Sequence, residues 1–206
     1  MSTPGEAPNE NNLGQWQAYA LSYLRGQLKD AAPNELSNPR LFERSPLEGE
    51  GVTVVFEFMA DVGRRGAERH FVVVGLTEPN YYPAYGLDAD EAFSLHLGTR
   101  FMLLIGVAQC DPNEPGGYDA RADARSIVER IAHSVAIEDV AVAATFDVDG
   151  QRHAVLRCRL AREPVYVFGR DAPPGFSRRI DLSPQVAYRL HLGHVLRREP
   201  APSDED

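Results

Sequence analysis

Cysteine is scarce in this chain: two residues, Cys110 and Cys158, among 206. They form no C-x-x-C pair and no nearby histidines complete a zinc pattern, which excludes a disulfide framework and a structural zinc site. In a reducing compartment both stay thiols. The alternation in "VLRCRL" reads Cys158 as a small buried strand residue rather than a nucleophile. Long apolar runs are also missing. The longest, Phe101 to Ala108, falls far short of the ~20 residues a membrane span needs. The N-terminal "MSTPGEAPNENN" lacks the basic and apolar regions of a signal peptide, so a soluble, cytoplasmic protein is expected. Positive charge is in deficit, with a net charge of −9. Such a surface repels phosphate backbones, so no nucleic-acid partner is expected without a local basic patch. The best patch, Arg178, Arg179, Arg189, Arg197 and Arg198, is interrupted by acidic residues and reads as solvated surface. No P-loop, G-x-G-x-x-G or G-x-S-x-G elbow occurs, so no nucleotide cofactor or serine nucleophile is indicated.

What the chain does contain is an echo. Ala-aromatic-x-Leu-His-Leu-Gly stands at Ala92–Gly98 ("AFSLHLG") and again at Ala187–Gly193 ("AYRLHLG"). Upstream of each lies an Arg-His pair (Arg69-His70, Arg152-His153) leading an apolar stretch, then Glu-Pro-x-Tyr (Glu78–Tyr81, Glu163–Tyr166). Phe58 with Asp61 and Gly63 matches Phe146 with Asp149 and Gly150. The landmarks keep one order in both halves. Two copies are too few for a solenoid. They predict an α+β protein made of an internally duplicated unit (helix, antiparallel strands, helix) packed about a pseudo-two-fold axis, as protomers of a dimer would be.

The element signals fit that plan. Trp16, Ala20, Tyr23 and Leu24 recur at helical spacing over 14–28, and Ala124, Ile127, Val128 and Ile131 do so over 120–134. Segments 51–60 and 69–76 read as a hairpin, and a tighter hairpin turns through Asp149-Gly150. "VYVFG" after Pro164 adds a third strand. Asp88 with Glu91 approximates a capping box, and Ser183 followed by Pro184 is a second helix start. The LHLG helices are expected to pass through Gly98 and Gly193, the glycine admitting another backbone. The rival reading makes Thr99 to Gln109 a buried strand, because Phe101 to Val107 is apolar on both faces. The expected boundaries are 1–12 (disordered), 13–110 (first unit), 111–117 (linker), 118–198 (second unit) and 199–206 (acidic disordered tail). Residues 31–50, with three prolines, read as irregular linker.

Candidate functional residues are few. His96 and His191 occupy equivalent positions and suit either an acid/base or ligand pair or, as repeated core histidines, helix-fixing hydrogen bonds. Arg100 lies one turn beyond His96. His191 and His194 are spaced for a metal, but no acidic third ligand accompanies them. Tyr81, Tyr82 and Tyr85 crowd a Pro-rich loop that either presents an interface or covers a sheet end. "GRRGAER" (63–69) is a solvated hairpin tip or a contact for an acidic surface. No catalytic constellation and no metal set is identified, and no cofactor is expected. The reading is a non-catalytic soluble binding or protein-interaction module, with an unidentified protein partner or small ligand. The alternative is a small-ligand protein or enzyme using His96 and His191 from a pocket between the halves. The tyrosine group, His96, Arg100 and His191 are the candidate contact residues.

Overall fold

The computed structural model describes residues 5–45, 49–62, 66–75, 79–83, 86–110, 118–132 and 136–198. The protein is α+β, with four α-helices and two antiparallel sheets among these residues. It divides into two compact units, the first reaching His96 and the second running from Leu97 to Arg198. No described helix is long and apolar enough to cross a membrane.

The first unit opens with α1 (Leu13–Leu28), followed by β1 (Ser37–Ser45), β2 (Gly49–Ala60), β3 (Glu68–Val74) and β4 (Asn80–Tyr82). The strands pair in sequence order. Helical spacing puts Trp16, Ala20 and Leu24 on one stripe of α1, and all three are fully buried. They meet the even-numbered side chains of β2 (Val54, Phe56, Phe58, Ala60) and Val72 and Val74 of β3. The opposite sheet face receives the first half of α2 (Ala89–Ile105), where Phe93 stacks on Phe42 of β1 at 4.4 Å. Both faces are covered, so the paired β2 and β3 carry apolar residues at odd and even positions alike.

β1 occupies residues expected to be irregular linker. The strand pattern is masked there by Pro39 and by a register shift between Ser37 and Arg40, with Asn38 at φ 46°. An edge strand tolerates both, since one side of it needs no ladder.

The second unit adds β5 (Ala108–Cys110), α3 (Ala120–Ala132), β6 (Ile137–Val148), β7 (Gln151–Leu160), β8 (Glu163–Arg170), β9 (Gly175–Ser177) and α4 (Pro184–Arg198). These five strands also pair in sequence order. α3 lays Ala124, Ile127 and Val128 on Ala154, Leu156, Cys158, Val165 and Val167. Ile131, expected on the same stripe, falls in the last turn of α3 and is 40% exposed. α4 covers the other face: Tyr188 stacks on Phe146 at 4.5 Å and His191 on Phe168 at 4.1 Å.

Both LHLG helices pass through their glycines. Asp88 and Glu91 form a reciprocal capping box, Glu91 N–H to Asp88 Oδ1 at 2.8 Å and Asp88 N–H to Glu91 Oε2 at 3.1 Å. Ser183 Oγ accepts from Val186 N–H at 3.3 Å at the start of α4. A Cβ built on Gly98 would collide with the carbonyl of Arg189. Within the second unit, the glycine of the first echo therefore admits the backbone of α4 at the second.

The β6–β7 turn is Asp149-Gly150 at φ 51° and 74°, the pair of positive angles that a two-residue hairpin of type I′ requires. The β7–β8 turn makes the same demand of Ala161 (φ 50°) and Arg162 (φ 71°), residues that pay for the left-handed region sterically. Ala161→Asn with Arg162→Gly is expected to raise stability by about 1–2 kcal/mol. The urea midpoint checks it, and an unchanged or lower midpoint contradicts the turn assignment.

Candidate functional site

The histidines were the first candidates, and the fold places each against an aromatic partner. His96 is 1% exposed on α2, with Nδ1 3.2 Å from the hydroxyl of Tyr82. His191 is half-buried; its Nε2–H donates to the carbonyl of Pro173 at 2.7 Å. The absence of a side chain at Gly175 makes room for this ring, since a Cβ there would lie 2.5 Å from His191 Cε1. Burial pulls the His191 imidazole down to about 4, only partly opposed by the Pro173 hydrogen bond.

Two further buried histidines went unremarked as sites in the sequence. His70 meets the Tyr81 hydroxyl at 2.8 Å, and His153 meets that of Tyr188 at 2.5 Å. Burial lowers both imidazoles, against the opposing pull of Glu68 on His70 and of Asp171 and Asp147 on His153. Burial likewise raises the Tyr188 phenol, and lifts the Cys158 thiol to about 11. A nucleophilic thiol needs the reverse shift, so Cys158 is a core residue.

Of the tyrosine group, Tyr82 is 7% exposed and Tyr81 is half-buried, packing against the α1 core. Tyr85 lies outside the described residues, as do Gly63, Arg64 and Arg65 of the basic loop. Arg100 is half-buried on α2. Of the basic patch, Arg179 is held by Asp181 at 2.9 Å, and this hydrogen bond keeps the Asp181 carboxyl below its ordinary value. Among the described residues no group of three His, Cys, Asp or Glu side chains is placed to hold a metal.

One shallow groove of about 400 Å3 runs beside the end of α1, with Asp30 and Asp61 at its rim and Pro33 and Met59 along it. None of the sequence-derived candidates lines it. Two exposed carboxylates and the Asn34 amide are its polar side chains, with no histidine, thiol or hydroxyl beside them.

The surface that departs most from a solvated exterior is the end of α2. Leu103 is 67% exposed, Leu104 61% and Ile105 36%. The helix end that carries them is capped. Gly106 takes φ 68°, and Val107 N–H donates to the Met102 carbonyl at 3.0 Å, the pattern of a Schellman cap. The chain then enters β5, whose residues Ala108, Gln109 and Cys110 pair with Asp147, Phe146 and Thr145 of β6. β5 closes its sheet, and its outer edge carries no further strand among the described residues. The signal was present in the sequence: Phe101 to Val107 is apolar all round, which a helix with one covered face does not require.

Comparison of this chain with protein-family models, with curated proteins and with solved structures returns no match.

Proposed function

We infer that this protein is a non-catalytic protein-interaction module whose contact surface is the apolar end of α2, Leu103, Leu104 and Ile105, together with the adjoining edge of β5. The carrying observation is that three consecutive large aliphatic side chains stand in solvent on a capped helix end. Exposed aliphatic side chains are ordinary singly, and three gathered at one capped helix end concentrate apolar surface where a partner can cover it. The reading as a small-ligand protein or enzyme using His96 and His191 has less support, since each ring is already engaged, by Tyr82 and by Pro173. A reducing, cytoplasmic setting is part of the proposal, in keeping with two free thiols.

The proposal includes a duplicated origin for the two units. Each half of the chain runs through a first helix on one sheet face, antiparallel strands in sequence order and a last helix that carries Leu-His-Leu-Gly on the other, with α2 crossing the boundary between the units after His96. The smaller echoes diverge. His70 pairs with Phe58 on the face of the first helix, whereas His153 pairs with Phe146 on the face of the last. Tyr81 and Tyr166 differ in the same way, opposite Val72 and Arg157 respectively. A slip of one residue in a strand reverses every side chain, so copies of one ancestor would have shifted register inside the strands as well as in the loops. Two such copies in one chain would pair about a pseudo-two-fold axis.

The test is a photo-crosslinking residue at position 104, with position 125 on the exposed side of α3 as control. Covalent protein adducts are expected from 104 and not from 125 when the protein is illuminated in a lysate of its source. Equal labelling from both positions, or none from 104, overturns the contact surface.

A further inference from the structure

We propose that Cys110 is a modification site: a hydroperoxide oxidises its thiol reversibly to a sulfenic acid, which the hydroxyl of Thr145 holds. Cys110 is the last residue of β5 and is half-buried, so its sulfur is open to a small oxidant. Thr145 of β6 pairs with it directly in the ladder. Residues opposite one another in an antiparallel pair project from the same sheet face, with Cβ atoms about 4.5–5.5 Å apart. Thr145 is 5% exposed, and its Oγ1 is buried without a hydrogen-bond partner. A hydroxyl in that state carries its full desolvation cost. The reduced thiol does not relieve it. Cys110 Sγ–H reaches instead to the Ala108 carbonyl of its own strand, a weak contact at 3.9 Å. An oxygen added to the sulfur lengthens the Cys110 side chain by one atom and offers the Thr145 O–H an acceptor across the ladder.

In the oxidation step the Cys110 thiolate attacks one peroxide oxygen. The S–O bond forms as the O–O bond breaks, and the departing hydroxide or alkoxide takes up the proton that the thiol gave to solvent. Sulfur is oxidised and the peroxide is reduced. The sulfenic acid then persists, because the chain's other cysteine cannot resolve it. Cys158 is 2% exposed, and burial lifts its thiol to about 11. It lies about 13 Å along β7 from Ala154, the residue that faces Thr145. A disulfide needs Cα atoms within about 7 Å, so an internal bridge is out of reach. Return to the thiol comes from a low-molecular-weight thiol. Its attack on the sulfur expels water and leaves a mixed disulfide, and a second such thiol attacks that disulfide and releases Cys110.

The site stands independently of the α2 contact surface, and peptide-resolved mass spectrometry of the full chain tests it. The folded protein is treated with hydrogen peroxide in the presence of dimedone, which traps sulfenic acids. The adduct is expected on Cys110, with Cys158 labelled at least about 10-fold less. Dimedone added at intervals after the peroxide is removed reads the lifetime of the sulfenic acid. Thr145→Val deletes the hydroxyl at nearly constant shape and should shorten that lifetime at least about 5-fold. Thr145→Ser keeps a hydroxyl and should keep the wild-type lifetime. The urea midpoint of Thr145→Val should be unchanged or higher, since the hydroxyl it loses has no partner in the reduced protein. No adduct on Cys110, or equal labelling of the two cysteines, overturns the site in the wild-type chain alone. A lifetime unchanged in Thr145→Val, or shortened as much in Thr145→Ser, overturns the holding role of Thr145.

Discussion

Gly98→Ala is expected to destabilise the protein by about 3 kcal/mol, although alanine is the best helix former. The position is in the middle of α2 (Ala89–Ile105), where alanine normally gains about 1 kcal/mol over glycine. Here the added methyl would occupy the place of the Arg189 carbonyl, with Arg189 C at 2.7 Å and Cα at 3.1 Å behind it. A flexible side chain could move aside; a helical backbone moves only as a rigid body, taking Tyr188 and His191 with it off Phe146 and Phe168. Overpacking of this kind outweighs the propensity gain. Gly26→Ala is the matched control, in α1 with nothing within 4 Å of the added carbon, and is expected to stabilise by up to about 1 kcal/mol. Urea unfolding of both variants compares the two signs. A stable Gly98→Ala protein would mean that α4 does not approach α2 at this glycine.

The glycine prediction also shows what kind of information the sequence carried. Helix positions, caps and the Asp149-Gly150 hairpin were legible because each depends on a few neighbouring residues whose chemistry is local: Asp88 and Glu91 satisfy one another, and Trp16, Ala20 and Leu24 recur with the helix period. β1 was not legible, because Pro39 and the bulge at Asn38 are allowed only by its place at a sheet edge, which is a tertiary fact. The β7–β8 turn was hidden by Ala161 and Arg162, which carry no turn signature and are held at positive φ by the strands they join. The facing of His70 and His153 was hidden for a related reason: identical Arg-His pairs point to opposite sheet faces, which depends on register alone. The candidate surface was half legible. An apolar run at 101–107 was visible, but its exposure depends on where the covering elements stop.

The second large effect is loss of stability in mild acid. His70, His153 and His191 all have imidazoles lowered by burial. His153 adds an Nε2 that is buried without a hydrogen-bond partner, so a proton placed there gains nothing from the protein. The unfolded chain takes up protons near 6.5, and the folded chain resists until lower pH. The stabilisation is therefore fully present above about 6.5, declines as pH falls through the range below it, and levels off once the folded imidazoles are themselves protonated, at about 4 for His191. That ring alone accounts for about 3 kcal/mol between the two limits, and His70 and His153 act in the same direction. Urea midpoints should fall steeply from pH 7 to pH 4. A flat profile across that interval contradicts the burial of these rings.

The interior placement of those same rings is the structural claim most open to direct test, since imidazoles change charge near neutrality when they are free. The direct measurement is an NMR titration that follows the Cε1–H signals of the individual histidines in the folded protein. His70, His153 and His191 should remain neutral at pH 6.5, with His191 protonating only near about 4. A ring among these three that titrates at or above 6.5 would contradict the dominance of burial in its surroundings, which is what lowers all three.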